Sequence, residues 1–164
     1  MCACVCFRYP TAFEMIFKGG HSIGFFYRET LEKAADFSEA LSLIQTTTMD
    51  SPSYMIIGGV KPGEGAIVTR ERQAVVDTWK LDNSTGRWFL VETNYDHWVP
   101  APESDDRRDP ANKRMNATSP AELSDKTLLN VLTQFPNLNR ETTYTTIMSA
   151  GTGVYYGMTQ NNDK

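Results

Sequence analysis

At 164 residues, 40% of them hydrophobic, the chain is long enough to enclose one core and short for several domains of ordinary size. A formal net charge of −4, from 16 Lys and Arg against 20 Asp and Glu, leaves no basic footprint for nucleic acid. No run approaches the roughly eighteen apolar residues of a bilayer-spanning helix, and Cys2-Ala-Cys-Val-Cys-Phe7 is too short, and lacks the basic lead, for a secretory signal.

Residues 1–21 are set apart as a divergent or disordered N-terminal segment. The three cysteines, Cys2, Cys4 and Cys6, alternate, which on a strand puts them on one face. With no second cysteine pair and no histidine nearby, they make neither a zinc site nor a disulfide framework, and no metal or cofactor is expected. Removal of Met1 would leave Cys2 with an α-amine of pKa about 8, so Cys2 is a candidate nucleophile carrying its own base. The histidines, His21 and His97, lie far apart in sequence, and His97 is expected at a structural position or a site rim.

Apolar spacing of Ile23, Phe26, Tyr27 and Leu31 predicts a helix over 22–33. Ser38 is read as the cap of a second helix, 39–45, with Leu41 and Ile44 on one face, closed by the turn Asp50-Ser-Pro52. Four short β-branched or aromatic runs follow, at 54–58, 65–72, 75–81 and 87–93, separated by Gly- and Asn-rich turns, and predict an antiparallel meander. The third has no cleanly apolar face and reads as near an edge. Ser119-Pro-Ala-Glu122 is a cap signature for a helix over 120–133, burying Leu123, Leu128, Leu129 and Leu132. Strands at 143–148 and 154–158 form a last hairpin, and 159–164 is a polar tail. The aromatic residues Tyr54, Trp79, Trp88, Phe89 and Trp98 are expected mostly in the core. The fold class is α+β.

The run from Trp88 to Arg108 concentrates chemistry: an apolar stretch ends in amide, phenol, carboxylate, imidazole and indole groups, then Asp105-Asp-Arg-Arg108. Asn94 offers an uncharged amide donor suited to a developing oxyanion, and Arg107 a fixed fork of donors for a carboxylate or carbonyl. The same residues also suit a plain turn at Asn94 and Asp96 and a solvated charge cluster at 105–108.

Val91-Glu-Thr-Asn-Tyr-Asp-His-Trp98, Pro100-Ala-Pro102 and Asp105-Asp-Arg-Arg108 closely resemble the C-terminal portion of the N-acylethanolamine acid amidase and acid ceramidase family, choloylglycine hydrolase-like N-terminal-nucleophile enzymes. The resemblance extends through Ser53-Tyr-Met-Ile-Ile-Gly-Gly59, Glu64-Gly-Ala-Ile-Val-Thr-Arg70, Asn116-Ala-Thr118 and Tyr144-Thr-Thr-Ile-Met-Ser-Ala-Gly151, about residues 22–151. Several motifs in one order are more specific than any short pattern. It implies part of an αββα sandwich with antiparallel sheets over 22–158, and a cysteine amidase that hydrolyses N-acylethanolamines to fatty acid and ethanolamine, or ceramide in the sister enzyme. It carries over Asn94 as oxyanion donor and Arg107 as the residue ordering the site; an acyl-chain channel of the family would open near such aromatic residues, and Trp98 is the candidate for it.

The family's Arg-Asn-x-Asp-Phe segment, which follows the nucleophilic Cys, has no counterpart in this sequence, so the catalytic half is expected to be missing. A non-catalytic form that binds lipid amides or a partner chain is the alternative. A fragment of such a sandwich would leave a sheet edge and an apolar face open, so the upstream subunit or a full-length homologue is the expected partner, beside the lipid amide substrate. Lysosomal localisation follows from the resemblance, and the sequons at Asn83 and Asn116 fit a glycoprotein of the secretory route.

Overall fold

The computed structural model describes residues 19–159 in full and Cys2–Phe7 by backbone alone. The expectations placed on residues 8–18 and on the tail from 160 onward lie outside the described residues. The chain divides into two units, residues 1–96 and 97–164.

The first unit is a helix pair on an antiparallel sheet. Strands β1 (Cys2–Phe7), β2 (Ser53–Gly58), β3 (Gly65–Arg70) and β4 (Val75–Lys80) pair in that order, every pair antiparallel. Helices α1 (Ile23–Lys33) and α2 (Phe37–Thr46) fill the connection between β1 and β2. Residues two apart along a strand share a face. Met55, Ile57, Ala66 and Val68 therefore form one apolar surface, and they close a core with Ile23, Phe26, Tyr27, Ala40, Leu41 and Ile44 of the helices. β3 is buried at all six positions, as a strand with neighbours on both sides and cover on both faces should be. β4, half exposed, is an edge among the described strands, in line with its mixed faces.

Local chemistry fixes the helix ends. α2 starts at Asp36 and not at Ser38: the Asp36 carboxylate accepts from the Glu39 N–H at 2.9 Å, and the Glu39 carboxylate accepts from the Ala35 N–H at 2.8 Å. A carboxylate two residues upstream thus outcompetes the serine as cap. At the other end, the Ile44 carbonyl, one of the last turn's unpaired acceptors, takes a hydrogen bond from Nη1 of Arg70. Arg72 ties the preceding segment down, donating from Nε to the Asp50 carbonyl at 2.9 Å and from Nη2 to the Gly19 carbonyl at 2.7 Å. Gly20 passes so close to Met49 that a Cβ would lie 2.5 Å from its carbonyl carbon, at φ +131°, which only glycine tolerates.

The expected strand over 87–93 does not form. Asp82 and Arg87 make an isolated bridge around a 3₁₀ turn, Asn83–Thr85, which Gly86 ends in the left-handed conformation. The Trp88 N–H then turns back to the Gly86 carbonyl at 3.1 Å and is lost to any ladder. Trp88 and Phe89 meet edge to face, centroids 5.0 Å apart.

The second unit holds α3 (Arg108–Ala117), α4 (Asp125–Leu132) and the hairpin β5 (Tyr144–Ser149) and β6 (Val154–Thr159). α3 was not among the expected elements: its face is polar, burying only Arg108, Ala111 and Met115, and Pro110 sits in its first turn, where proline is tolerated. The helix expected over 120–133 is two pieces. Pro120–Glu122 is a 3₁₀ turn, Leu123 is extended, and Ser124 caps α4 reciprocally with Thr127. Val131 is the buried residue of α4, while Leu123 and Leu132 are exposed, correcting the expected burial.

Candidate functional site

The candidate residues are divided between the units, Cys2, Asn83 and Asn94 in the first and Trp98, Arg107 and Asn116 in the second. In the first, Thr93 is buried and Asn94 exposed, so the chain surfaces at the start of Asn94-Tyr-Asp96. Asn94 has φ +78°, and among the described residues it is the only non-glycine at positive φ. Asparagine tolerates this region better than most residues, and where it occurs the surroundings must hold it. The Asn94 N–H donates to Oε1 of Glu92 at 2.8 Å. Two residues on, the Asp96 carboxylate accepts from the Tyr54 hydroxyl at 2.8 Å.

Tyr54 is itself fixed: it is 9% exposed, sits on β2 between Cys6 and Thr69, and its carbonyl accepts from the Tyr27 hydroxyl of α1 at 3.5 Å. A cavity of about 50 Å³ is lined by Tyr54, Asp96, Ser53, Thr69 and Arg70 among others. It has room for water and not for an acyl chain. The carboxamide of Asn94 is thus presented on a turn with both flanks held, an arrangement able to donate to an oxygen that gains charge.

The first unit also holds a buried cation that no local sequence signal marks out. Arg70 is 1% exposed; beyond the Ile44 carbonyl, its Nε and Nη2 have no hydrogen-bond partner among the described residues. Burial alone pushes its guanidinium down from the ordinary value. The hydroxyl of Ser53, directly across the β2–β3 ladder, likewise has no hydrogen-bond partner among the described residues.

Cys2 opens β1, its backbone paired with Gly58. Asn83 lies in the 3₁₀ turn, exposed. There the Asp82 carboxylate accepts from the Ser84 hydroxyl at 2.6 Å and from Thr85 Oγ1 at 3.0 Å. These bonds, Ser84 foremost, hold the Asp82 carboxyl below its usual range.

In the second unit, His97 and Trp98 stand edge to face at 4.9 Å, and Trp98 is 49% exposed, a surface indole rather than a core one. Arg107 precedes α3. Its Nε and Nη2 grip the two oxygens of Asp105 at 2.9 and 3.0 Å, a fork-to-fork pair that orients the guanidinium. Arg108, its neighbour in the same motif, is the buried one, donating to the Val99 carbonyl. The segment 105–108 is therefore partly ordered and buried, not wholly a solvated cluster. An open depression of this unit, about 620 Å³, is lined by Asp106, Asp109, Lys113 and Arg114 together with Pro110 and Ala117. Asn116 is exposed within the last turn of α3. Among the described residues no three His, Cys, Asp or Glu side chains are grouped to hold a metal, and no helix is long and apolar enough to cross a membrane.

No family model matches the sequence. An N-acylethanolamine-hydrolyzing acid amidase of Cavia porcellus is 47% identical over 137 residues, 84% of this chain and 39% of the relative. Acid ceramidase of Mus musculus is 41% identical over 138 residues, 84% of this chain and 35% of that protein. The structure of a Caenorhabditis elegans N-acylethanolamine-hydrolyzing acid amidase ortholog superposes with a TM-score of 0.77 at 32% identity, covering 91% of this chain and 65% of that one. The chain thus spans less than two fifths of the length of these curated relatives. Helices with antiparallel sheets, the α+β architecture found here, are the fold it shares with the amidase.

Proposed function

Since this chain belongs with the N-acylethanolamine acid amidases and acid ceramidases, a family of amide-hydrolysing lipid hydrolases, we propose that it forms the oxyanion-stabilising part of a cysteine amidase acting on N-acylethanolamines. The observation that carries the reading is the left-handed Asn94, exposed and flanked by held residues. In amide hydrolysis the carbonyl oxygen gains negative charge as a thiolate adds. A donor already oriented toward that oxygen stabilises the transition state without reorganising. Asn94 supplies it as a neutral group, so it leaves the thiolate's ionisation alone. Family resemblance alone supports Arg107, oriented by Asp105, as the residue that orders the site, and the exposed indole of Trp98 as apolar surface for the acyl chain.

The ethanolamide is preferred over ceramide because relatives of that name share 47–50% identity with this chain, against 40–41% for the ceramidases. A lysosomal setting fits the acid enzymes to which the chain is similar, and exposed Asn83 and Asn116 suit glycans.

The test separates the carboxamide from the backbone it sits on. In an active, full-length amidase carrying this segment, Asn94→Ala and Asn94→Gly should each lower turnover by on the order of a hundredfold. Asn94→Ala should also destabilise the fold by about 1 kcal/mol, because Cβ is disfavoured at this φ, whereas Asn94→Gly should not. Wild-type turnover in Asn94→Gly would remove the carboxamide from the mechanism.

A further inference from the structure

We infer that Tyr54 is a positioning residue for Asn94: its phenol holds the Asp96 carboxylate and so fixes the left-handed turn that presents the carboxamide. The inference rests on the reading of Asn94 as an oxyanion donor. Tyr54 and Asp96 are 42 residues apart in sequence, so their 2.8 Å hydrogen bond is a tertiary tie between the sheet and the turn. Its acceptor is a carboxylate, the stronger class of hydrogen bond. At the sheet end, Tyr54 has strands on both sides and a second tie through its carbonyl to α1.

At the turn end, three successive features need holding together. Thr93 is buried, Asn94 is left-handed and exposed, and Asp96 returns to the phenol. A residue in the left-handed region lies above the ordinary backbone minimum, and it stays there only while its flanks are restrained. Glu92 restrains the Asn94 N–H from the N-terminal side, and Tyr54 restrains the C-terminal side through Asp96. Removing the phenol oxygen takes away this tie without touching Asn94. The carboxamide then samples orientations that miss the oxyanion, which lowers the rate of the chemical step rather than the affinity for substrate.

Two measurements decide it. On the 164-residue chain, amide hydrogen exchange at residues 94–96 should rise about tenfold in Tyr54→Phe, with β3 amides unchanged. Asp96→Asn, which keeps a neutral oxygen acceptor for the phenol, should exchange between the wild type and Asp96→Ala, and Asp96→Ala like Tyr54→Phe. Unaltered exchange at 94–96 in Tyr54→Phe overturns the inference. If that variant loses β3 protection, the contrast between Asp96→Asn and Asp96→Ala decides by the same criterion.

In an active, full-length amidase carrying the segment, Tyr54→Phe should lower kcat about tenfold with KM nearly constant, and should have no further effect in an Asn94→Ala background. Multiplying losses in the double variant would mean that Tyr54 acts other than through Asn94. Should Asn94→Ala alone keep wild-type turnover, the oxyanion reading fails, while the exchange result still reports whether Tyr54 holds the turn.

Discussion

Arg70 offers the sharpest test of the packing. Its guanidinium is buried, with Nη1 on the Ile44 carbonyl and with Nε and Nη2 lacking partners among the described residues. Consider Arg70→Met, which keeps an unbranched stem and deletes the charge. The variant gives up one charge-assisted hydrogen bond, about 1.5–3 kcal/mol, and a cation at a helix C-terminus, about 0.3–1 kcal/mol. It also removes two buried donors without acceptors, each costing about 1–3 kcal/mol, and the desolvation of the cation itself. On mid-range values these terms leave Arg70→Met about 1 kcal/mol more stable before relief of the cation's desolvation is added. Urea unfolding of the 164-residue chain, followed by far-UV circular dichroism, should therefore give a midpoint at or above the wild type with the same m value. Arg70→Lys, which keeps a charge but loses the fork that reaches Ile44, should be destabilised by about 2 kcal/mol. A loss of about 3 kcal/mol or more in Arg70→Met would refute the reasoning, since that is the signature of breaking a compensated buried charge.

Gly20→Ala should destabilise the first unit by about 2–3 kcal/mol, because its Cβ would lie 2.5 Å from Met49 backbone atoms; an unchanged urea midpoint would contradict this. For Asp82 the folded carboxyl titrates below its ordinary value, so the Asn83–Thr85 turn has its full support above that value and loses it as pH falls through the lower, folded one. Exchange at the Ser84 amide, corrected for intrinsic rates, should accelerate on acidification from about pH 5 to pH 2 and lose this dependence in Asp82→Asn; identical profiles in the two proteins would refute the assignment. The 164-residue chain alone is expected not to hydrolyse palmitoylethanolamide, because its sequence has no counterpart of the Arg-Asn-x-Asp-Phe segment. Turnover that vanishes in Cys2→Ala would reverse that expectation and assign the thiol.

Short β-branched and aromatic runs located β2, β3, β4, β5 and β6 to within a residue or two, and the spacing of Ile23, Phe26 and Tyr27 located α1; for α1, β2 and β3, burial against the core of the first unit writes its repeat into the residues. α3 left no such trace: a helix that buries an arginine, an alanine and a methionine has no apolar stripe to read. The run 87–93 misled for the opposite reason, since β-rich residues there follow a left-handed Gly86 that turns the backbone N–H groups inward. At the site, the order Thr93-Asn-Tyr-Asp96 drew notice to Asn94, and its residue type is compatible with positive φ. The hold of Tyr54 on Asp96 and the burial of Arg70 depend on distant partners, which local sequence does not reveal.

The β5–β6 hairpin is the one sheet of the second unit among the described residues, a two-stranded ladder on which Tyr144, Tyr155 and Tyr156 are more than half exposed. With one row of inter-strand bonds and little apolar cover on those rings, zipping it open costs far less than melting β3. Among the Tyr and Trp side chains of the described residues its phenols are consequently the most open to quenchers and solvent, a built-in optical reporter of any surface that later closes over them.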